Sequence, residues 1–534
     1  MTTPLRKTVT RLCMFITAIV LAGMVLAALP AFAGGTLRVA NMGEPASLDP
    51  HKLSGTWENY IVGDMFVGLI TEDPSAMPVP GVAKSWDVSG DGKTYTFNLR
   101  QSTWSDGTPL TAKDFVFSMR RILIPETAAE YASLLYIIQG AEAVNTGKAA
   151  PETLGVKALG DHTLEIILTG PAPYFLELLT HYTAYPVPRH IIKKHGKAWT
   201  KPENMVVNGP FKPTEWIPNT HVKLIKNNKY YDAGSVALDN LVFFTQEDRA
   251  AVQKRFRAGE IDVVKDFASD QIDWLRKNMP EETHIAPYMG VYYYAINSSR
   301  KPFTDKRIRL ALSMAINREA IVDRVLKTGE LAAYSFVPPG VAFYDTPAQV
   351  AWKDMPYGQR VKKAKALLKE AGYGPDNPLK FTLRYNTSEN HKRVAVAVAS
   401  MWKAVGVKAE LFNLEVKAHY ADLKQANFEV ARAAWIADYN DAQNFLYLLE
   451  TRTGPNNYGQ YSNPEFDRLM LEAEQTPDLA KRAELMHAAE AIAMDDQPVI
   501  PIYHYVSKNL VAKNVVGFVD NPKDINRWRY ISLK

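Results

Sequence analysis

The sequence predicts an α/β protein of two or three domains built around an open, largely parallel sheet, and three observations carry that prediction. Residues 380–436 alternate strand, helix, strand, helix, strand. That repetition lays strands side by side in one direction, with the helices as crossovers. Residues 93–100 place Tyr95, Phe97 and Leu99 on one face, the pattern of a half-buried strand. The chain has 534 residues, more than one hydrophobic core can organise.

The N-terminus comes first. Arg6, Lys7 and Arg11 precede an unbroken apolar and small run from Met14 to Leu29, then Pro30 and the Ala31-Phe32-Ala33 triplet. This is the order of a secretory signal peptide cleaved after Ala33. The run is shorter than the ~20 residues a spanning helix needs. The only cysteine, Cys13, lies inside the leader, ahead of the apolar run. The mature chain is therefore expected to carry no disulfide, no lipid anchor and no thiolate metal site. A secreted protein without an anchor stays near its cell only behind a second membrane, which predicts a periplasmic location. The leader contributes +3 of the formal net charge of +5. No Lys/Arg run remains to argue for nucleic acid.

Along the mature chain, Thr36 to Ala40 reads as a strand, followed by the loop Gly43–Pro50. Ser89–Gly92 is a hairpin turn before the 93–100 strand. Gly92-Lys93-Thr94 resembles the tail of a phosphate loop, but Asp87 stands where that motif needs its first glycine. Thr111 to Asp114 is a capping box opening a helix through Phe115 and Met119. Thr304 or Asp305 opens another, carrying Ile308, Leu312 and Ala315. Val361, Ala364, Leu367, Leu368 and Ala371 form a helical stripe stopped by Gly372. Then follow a strand at 380–385, a helix at 391–402 stopped at Gly406, a strand at 407–412, a helix at 418–425 and a strand at 428–436.

The last strand carries the most information. Phe428 to Ile436 is apolar enough to lie in a sheet covered on both faces, yet Arg432 sits inside it, and Asp438 follows where Asp-Tyr-Asn-Asp ends the strand. A buried unpaired arginine costs several kcal/mol. Either Arg432 pairs with a neighbouring carboxylate, or the strand end lines a cleft where a cation and an anion face a ligand. A zwitterion with separated charges, such as a peptide with free ends, satisfies both. His391 and Asp438 each follow a strand and so share one rim of the sheet, where open α/β sheets bind ligands. Tyr292, Tyr293, Tyr294, Trp435 and Tyr439 are candidate pocket aromatics.

Catalytic signatures are absent from the sequence: no G-x-S-x-G elbow, no H-E-x-x-H pair, and histidines scattered singly. Asp495-Asp496 sits at a helix end before Gln497-Pro498 and reads as solvated. No metal and no cofactor are expected.

Longer motifs bear a resemblance over essentially the whole mature chain. They are Leu48–His51, Ser85-Trp86 with Lys93–Arg100, Trp104–Ser118 (WSDGTPLTAKDFVFS), Asn208–Phe211, Lys301–Arg309 (KPFTDKRIR), Ala315–Arg318 and Arg432–Asn440 (RAAWIADYN). Together they resemble the periplasmic solute-binding proteins of ABC importers, in the peptide/nickel-binding family, and within it the oligopeptide-binding branch.

The resemblance implies a two-lobed periplasmic binding protein fold that closes by a hinge, with an extra domain in lobe one. It implies domain I from 34–56, 187–293 and 506–534, domain II from 57–186, and domain III, lobe two, from 294–505. By resemblance, Asp438 binds a peptide's α-ammonium, and Arg432 and His391 meet its terminal carboxylate. The backbone from Glu44 to Ala46 and from Ala433 to Trp435 pairs with the ligand main chain. Lys327 lies near a family lysine that meets the carboxylate. A second family arginine falls on Leu423, with Lys424 beside it, and a family pocket tryptophan falls on Val416. The implied protein is a monomeric, non-enzymatic receptor for short peptides that serves an inner-membrane ABC permease. Murein peptides, nickel chelates or oligosaccharides on the same fold are alternatives, as is a secreted peptidase. Sugars lack end charges to match Arg432 and Asp438.

Overall fold

The computed structural model describes residues 34–534. The predicted leader, with Cys13 and the cleavage site, lies outside the described residues. One sheet of eleven strands runs through the molecule. In chain order its strands are β1 (Thr36–Ala40), β2 (Phe211–Ile217), β3 (His221–Lys226), β4 (Asn240–Phe244), β5 (Val263–Lys265), β6 (Thr283–Ile296), β7 (Leu379–Asn386), β8 (Val407–Leu414), β9 (Val430–Ile436) and β10 (Val499–Val511). The short Leu331–Ala332 strand also pairs with β10. The spatial order is β2-β3-β4-β1-β5-β10-β6-β9-β7-β8.

Parallel pairing joins β1 to β4 and β5, and β7 to β8 and β9. The remaining pairs are antiparallel. The sheet is therefore mixed, which corrects the expected largely parallel one. The crossover argument holds at 379–436, where helices Glu389–Lys403 and Val416–Lys424 connect the strands. It does not reach β6 and β10, two long strands that pair antiparallel along their length.

Those two strands build the connection between the lobes. Lobe one holds β1–β5, and lobe two holds β7–β9. The β6/β10 ladder has two parts, Thr283–Pro287 against Leu510–Val506 and Val291–Ala295 against His504–Val499, with a register shift between Pro287 and Val291. Such a shift bends the strand and breaks the ladder locally, so the sheet is least constrained where it passes from one lobe to the other.

Lobe one carries a second, four-stranded antiparallel sheet made of Ala83–Val88, Thr94–Leu99, Thr163–Ile167 and Val156–Ala158. Its Thr94–Leu99 strand alternates buried and half-buried residues, as its sequence pattern predicts. The capping box forms as expected: the Thr111 N–H donates to Asp114 Oδ2 at 2.8 Å, at the head of helix Ala112–Leu123. Asp305 caps helix Lys306–Met314, and helix Tyr357–Glu370 ends before Gly372, whose φ of +89° suits glycine. The C-terminal segment returns to lobe one through buried ion pairs. Lys523 and Arg527 both meet Glu72, and Arg529 meets Asp64. Removing one member of such a buried pair typically costs ~3–5 kcal/mol.

Candidate ligand-binding site

The site begins with the register of β9. Side chains alternate along a strand, so Arg432, Ala434 and Ile436 share one face while Ala433 and Trp435 share the other. Along β6 the strand is paired from Val430 to Ile436, but along β7 only at Val430 and Ala431. The Arg432 carbonyl accepts from His419 Nε2 at 2.8 Å. From Ala433 to Ile436 the β7-facing edge has no strand partner. Because β7 and β9 run parallel, their carboxyl ends fall on one rim, and His391 and Asp438 both stand there as expected.

That rim walls a cavity enclosed between the lobes. Lobe one contributes Trp57, Tyr131, His181, Arg249 and Asp266, and lobe two contributes His391, Tyr420, Arg432, Ala434 and Asp438. Tyr505 and Lys508 enter from β10. The centres of water-sized molecules can occupy about 140 Å3 of it. Contacts across the lobes close it. Tyr131 stacks on Trp435 at 5.6 Å between centroids, and Tyr174 on Tyr439 at 4.9 Å. Lys424 donates to Ser54 Oγ at 2.7 Å and pairs with Glu130. The Ser269 N–H and hydroxyl both donate to Asn390 Oδ1, at 3.0 and 2.7 Å.

One end of the cavity is cationic. Arg432 is buried, and its hydrogen bonds all go to neutral groups: Nη1 to Asn386 Oδ1 at 3.0 Å and Tyr420 Oη at 3.2 Å, Nη2 to Tyr505 Oη at 2.8 Å. Its guanidinium carbon lies 5.0 Å from the Tyr292 ring, a cation–π contact. Its Nε has no partner. The neighbouring-carboxylate reading of Arg432 is thus not the one this geometry favours. Buried His391 stands beside it. Burial first, and then the charges of Arg432, Arg249 and Lys508, hold its ring well below the ordinary histidine range, so it is neutral.

The other end is anionic. The Asp438 N–H donates to Asn444 Oδ1 at 2.9 Å, and its Oδ2 accepts from Asn444 Nδ2 at 3.3 Å. Across the cleft, His181 Nε2 lies 3.2 Å from Asp438 Oδ1, within ion-pair reach but not aligned as a hydrogen bond.

The other sequence-predicted residues take different places. Trp435 borders the cavity, and its indole N–H is held by Asn444 Oδ1 at 3.0 Å. Ala433 is buried on the opposite face of β9, and Tyr439 is buried against Tyr174. Glu44 is occupied at both carboxylate oxygens, by Trp216 Nε1 and the Asn219 N–H, each at 2.9 Å. The Ala46 N–H donates to Glu58 Oε1 at 2.8 Å. Lys327 is about half exposed and stands 3.6 Å from Asp273. None of Glu44, Ala46, Ala433, Tyr439 and Lys327 is part of the cavity wall. Of the candidate tyrosines, 292, 293 and 294 are buried core residues of β6. Val416, at the family tryptophan position, does line the cavity, whereas Leu423 is buried elsewhere.

Sequence reasoning did not find His181, Arg249, Asp266, Lys508 or Tyr505. Arg249 left one trace. It is the first residue of helix Arg249–Arg257, where a cation opposes the helix dipole.

Comparison with known proteins places this geometry. Residues 77–457 match the model described as bacterial extracellular solute-binding proteins, family 5 Middle. The chain is 39% identical over 495 residues to the periplasmic murein peptide-binding protein MppA of Escherichia coli, covering 91% of each chain. It is 40% identical over 491 residues to the periplasmic oligopeptide-binding protein OppA of Salmonella typhimurium, covering 90% of this chain and 89% of that one. The structure superposes on Haemophilus influenzae OppA in complex with RPPGFSPFR with a TM-score of 0.92, at 36% identity, covering 94% of this chain and 99% of that one. Two structures of Escherichia coli MppA, each 38% identical and each covering 94% of this chain, separate the lobe arrangements. The murein tripeptide binding protein structure gives 0.91 over 99% of its chain, and the unliganded open form gives 0.66 over 98%. The lobes here are therefore in a closed arrangement. With the motifs, the two-lobed architecture and these matches in agreement, the chain belongs to the family 5 bacterial extracellular solute-binding proteins.

Proposed function

We propose that this protein is a non-catalytic receptor that captures short peptides between its lobes and delivers them to an inner-membrane ABC permease. One observation carries the reading: the closed cavity has a guanidinium without a carboxylate partner at one end and a carboxylate at the other, Arg432 from within β9 and Asp438 from just past its carboxyl end. Asp438 lies six residue steps beyond Arg432, at most about 20 Å along an extended chain. The long arginine side chain reaches back into that span. What remains suits a ligand of a few residues at about 3.3–3.6 Å each.

In this reading Asp438 takes the α-ammonium, and Arg432 with neutral His391 takes the terminal carboxylate. The unpaired edge from Ala433 to Ile436 adds the ligand as a strand. Main-chain hydrogen bonds of that kind give affinity without selecting side chains. The peptide- and murein-peptide-binding relatives support this ligand class. Residues 1–33 serve as a cleaved leader to the periplasm, where the relatives work. Domains I and II form lobe one and domain III lobe two, with the bend at the register shift of β6 and β10.

Calorimetry with trialanine and N-acetyl-trialanine tests the reading. The free amine is expected to bind and the acetylated form to bind at least tenfold more weakly, since a charge-assisted contact is worth about 1.5–3 kcal/mol. Asp438→Asn should remove that difference. Equal affinity for both forms would take Asp438 out of the ligand site.

A further inference from the structure

The cationic end of the cavity holds more positive charge than its own carboxylates neutralise. Lys508 stands 3.3 Å from Glu330 and 3.4 Å from Asp266. Arg249 Nε stands 3.6 Å from Asp266 Oδ2, beyond hydrogen-bond range. Arg432 meets only neutral groups. Arg432 is therefore a buried cation whose own negative partner is missing.

The unmade hydrogen bonds fall at the same place. Nε of Arg249, Nε of Arg432 and Nδ1 of His391 are all buried with no hydrogen-bond partner among the described residues. All three side chains line the cavity, and each residue is more than nine-tenths buried. Leaving a buried charged donor unsatisfied costs more than leaving a neutral one. Arg249 donates through Nη1 to the carbonyls of Glu247 at 3.0 Å and Met42 at 3.3 Å, which aims the remaining fork inward. These groups come from opposite sides of the cleft. Arg249 belongs to lobe one, while Arg432 and His391 belong to lobe two.

We infer that Arg249 is a second anchor for the terminal carboxylate of the ligand, meeting it from lobe one while Arg432 holds it from lobe two. The carboxylate then bridges the lobes, supplies the missing negative charge, and makes the closed state selective for free acids over amides. This rests on the reading of the cavity as a peptide site. It adds a residue that neither the motifs nor the resemblance singled out.

The test is calorimetry with trialanine and trialanine carboxamide on the mature protein, its Arg249→Gln variant and its Arg249→Lys variant, with thermal unfolding to confirm that each is folded. The wild type should prefer the acid. Arg249→Gln should weaken the acid about tenfold or more while changing the amide far less. Arg249→Lys, which keeps the charge but loses the fork, should fall between them. If Arg249→Gln does not fold, the lysine variant carries the comparison through a reduced acid preference. Acid preference unchanged in the variants, or equal losses for acid and amide, would overturn the assignment while leaving the peptide reading intact. If the wild type binds neither probe, the peptide reading fails and this inference fails with it.

Discussion

His181 Nε2 of lobe one and Asp438 Oδ1 of lobe two stand 3.2 Å apart across the closed cleft. His181 is fixed from behind by Thr183 Oγ1 at 3.0 Å from its Nδ1, and its ring packs 3.8 Å from that of Tyr182. In the proposed site this carboxylate is thus already positioned by a group on the other lobe. A double-mutant cycle with His181→Gln and Asp438→Asn, read by trialanine calorimetry, should show a coupling of about 1 kcal/mol. Strictly additive losses would mean that the contact does not bear on binding.

Lobe closure also brings two carboxylates together. Glu247 of lobe one is pushed up to about 7, by burial first and then by Glu415 of lobe two, and the Val416 N–H and Arg249 only partly offset this. Opening the lobes is expected to separate Glu415 from Glu247 and to return Glu247 toward the ordinary carboxylate range. Closing therefore takes up a proton. The stabilisation of the closed state is fully present below about pH 4.5 and is lost as pH rises through about 7. Affinity for trialanine should fall several-fold between about pH 5 and about pH 6.5, a range in which the peptide's own ends stay charged. Glu247→Gln should flatten that dependence. A variant that titrates like the wild type would place the proton elsewhere.

The buried Glu72 cluster makes the opposite pH prediction for folding. Burial alone would raise this carboxyl, but Arg527 and Lys523 outweigh burial and hold it at about 2. Its contribution is therefore present above about pH 4.5 and is lost as pH falls toward 2. Glu72→Gln should destabilise the fold by about 3 kcal/mol or more, because two buried cations lose their partner. Urea unfolding near neutral pH measures that loss, and near pH 3 the gap between wild type and variant should narrow. A constant gap across this range would assign the stability to packing alone.

The sequence made the 379–436 region readable because each strand there is followed by its own crossover helix, so local pattern and tertiary neighbour coincide. Arg432 and Asp438 were readable because a charge in an apolar strand has few structural excuses. The antiparallel pairing of β6 with β10 was not, since the two segments are some 200 residues apart and both are simply apolar runs. His181, Arg249 and Lys508 escaped for the same reason. Each comes from a different part of the chain, and only the fold brings them to the cavity. At Glu44 and Ala46 the resemblance points to the backbone, and in this closed structure the Glu44 carbonyl accepts from Trp57 Nε1 at 3.2 Å while the Ala46 N–H donates to Glu58 Oε1 at 2.8 Å.

The strand order has a consequence for how the molecule can be assembled. β1, at residues 36–40, is separated from β10, at residues 499–511, by β5 alone. The Glu72 cluster likewise needs Lys523 and Arg527. Lobe one cannot complete its central sheet or neutralise its buried acid until the far end of the chain arrives, and pairings of such long sequence separation form slowly. A chain of this topology stays loose while it is being made. That is the condition in which a polypeptide can be threaded across a membrane before it folds on the other side.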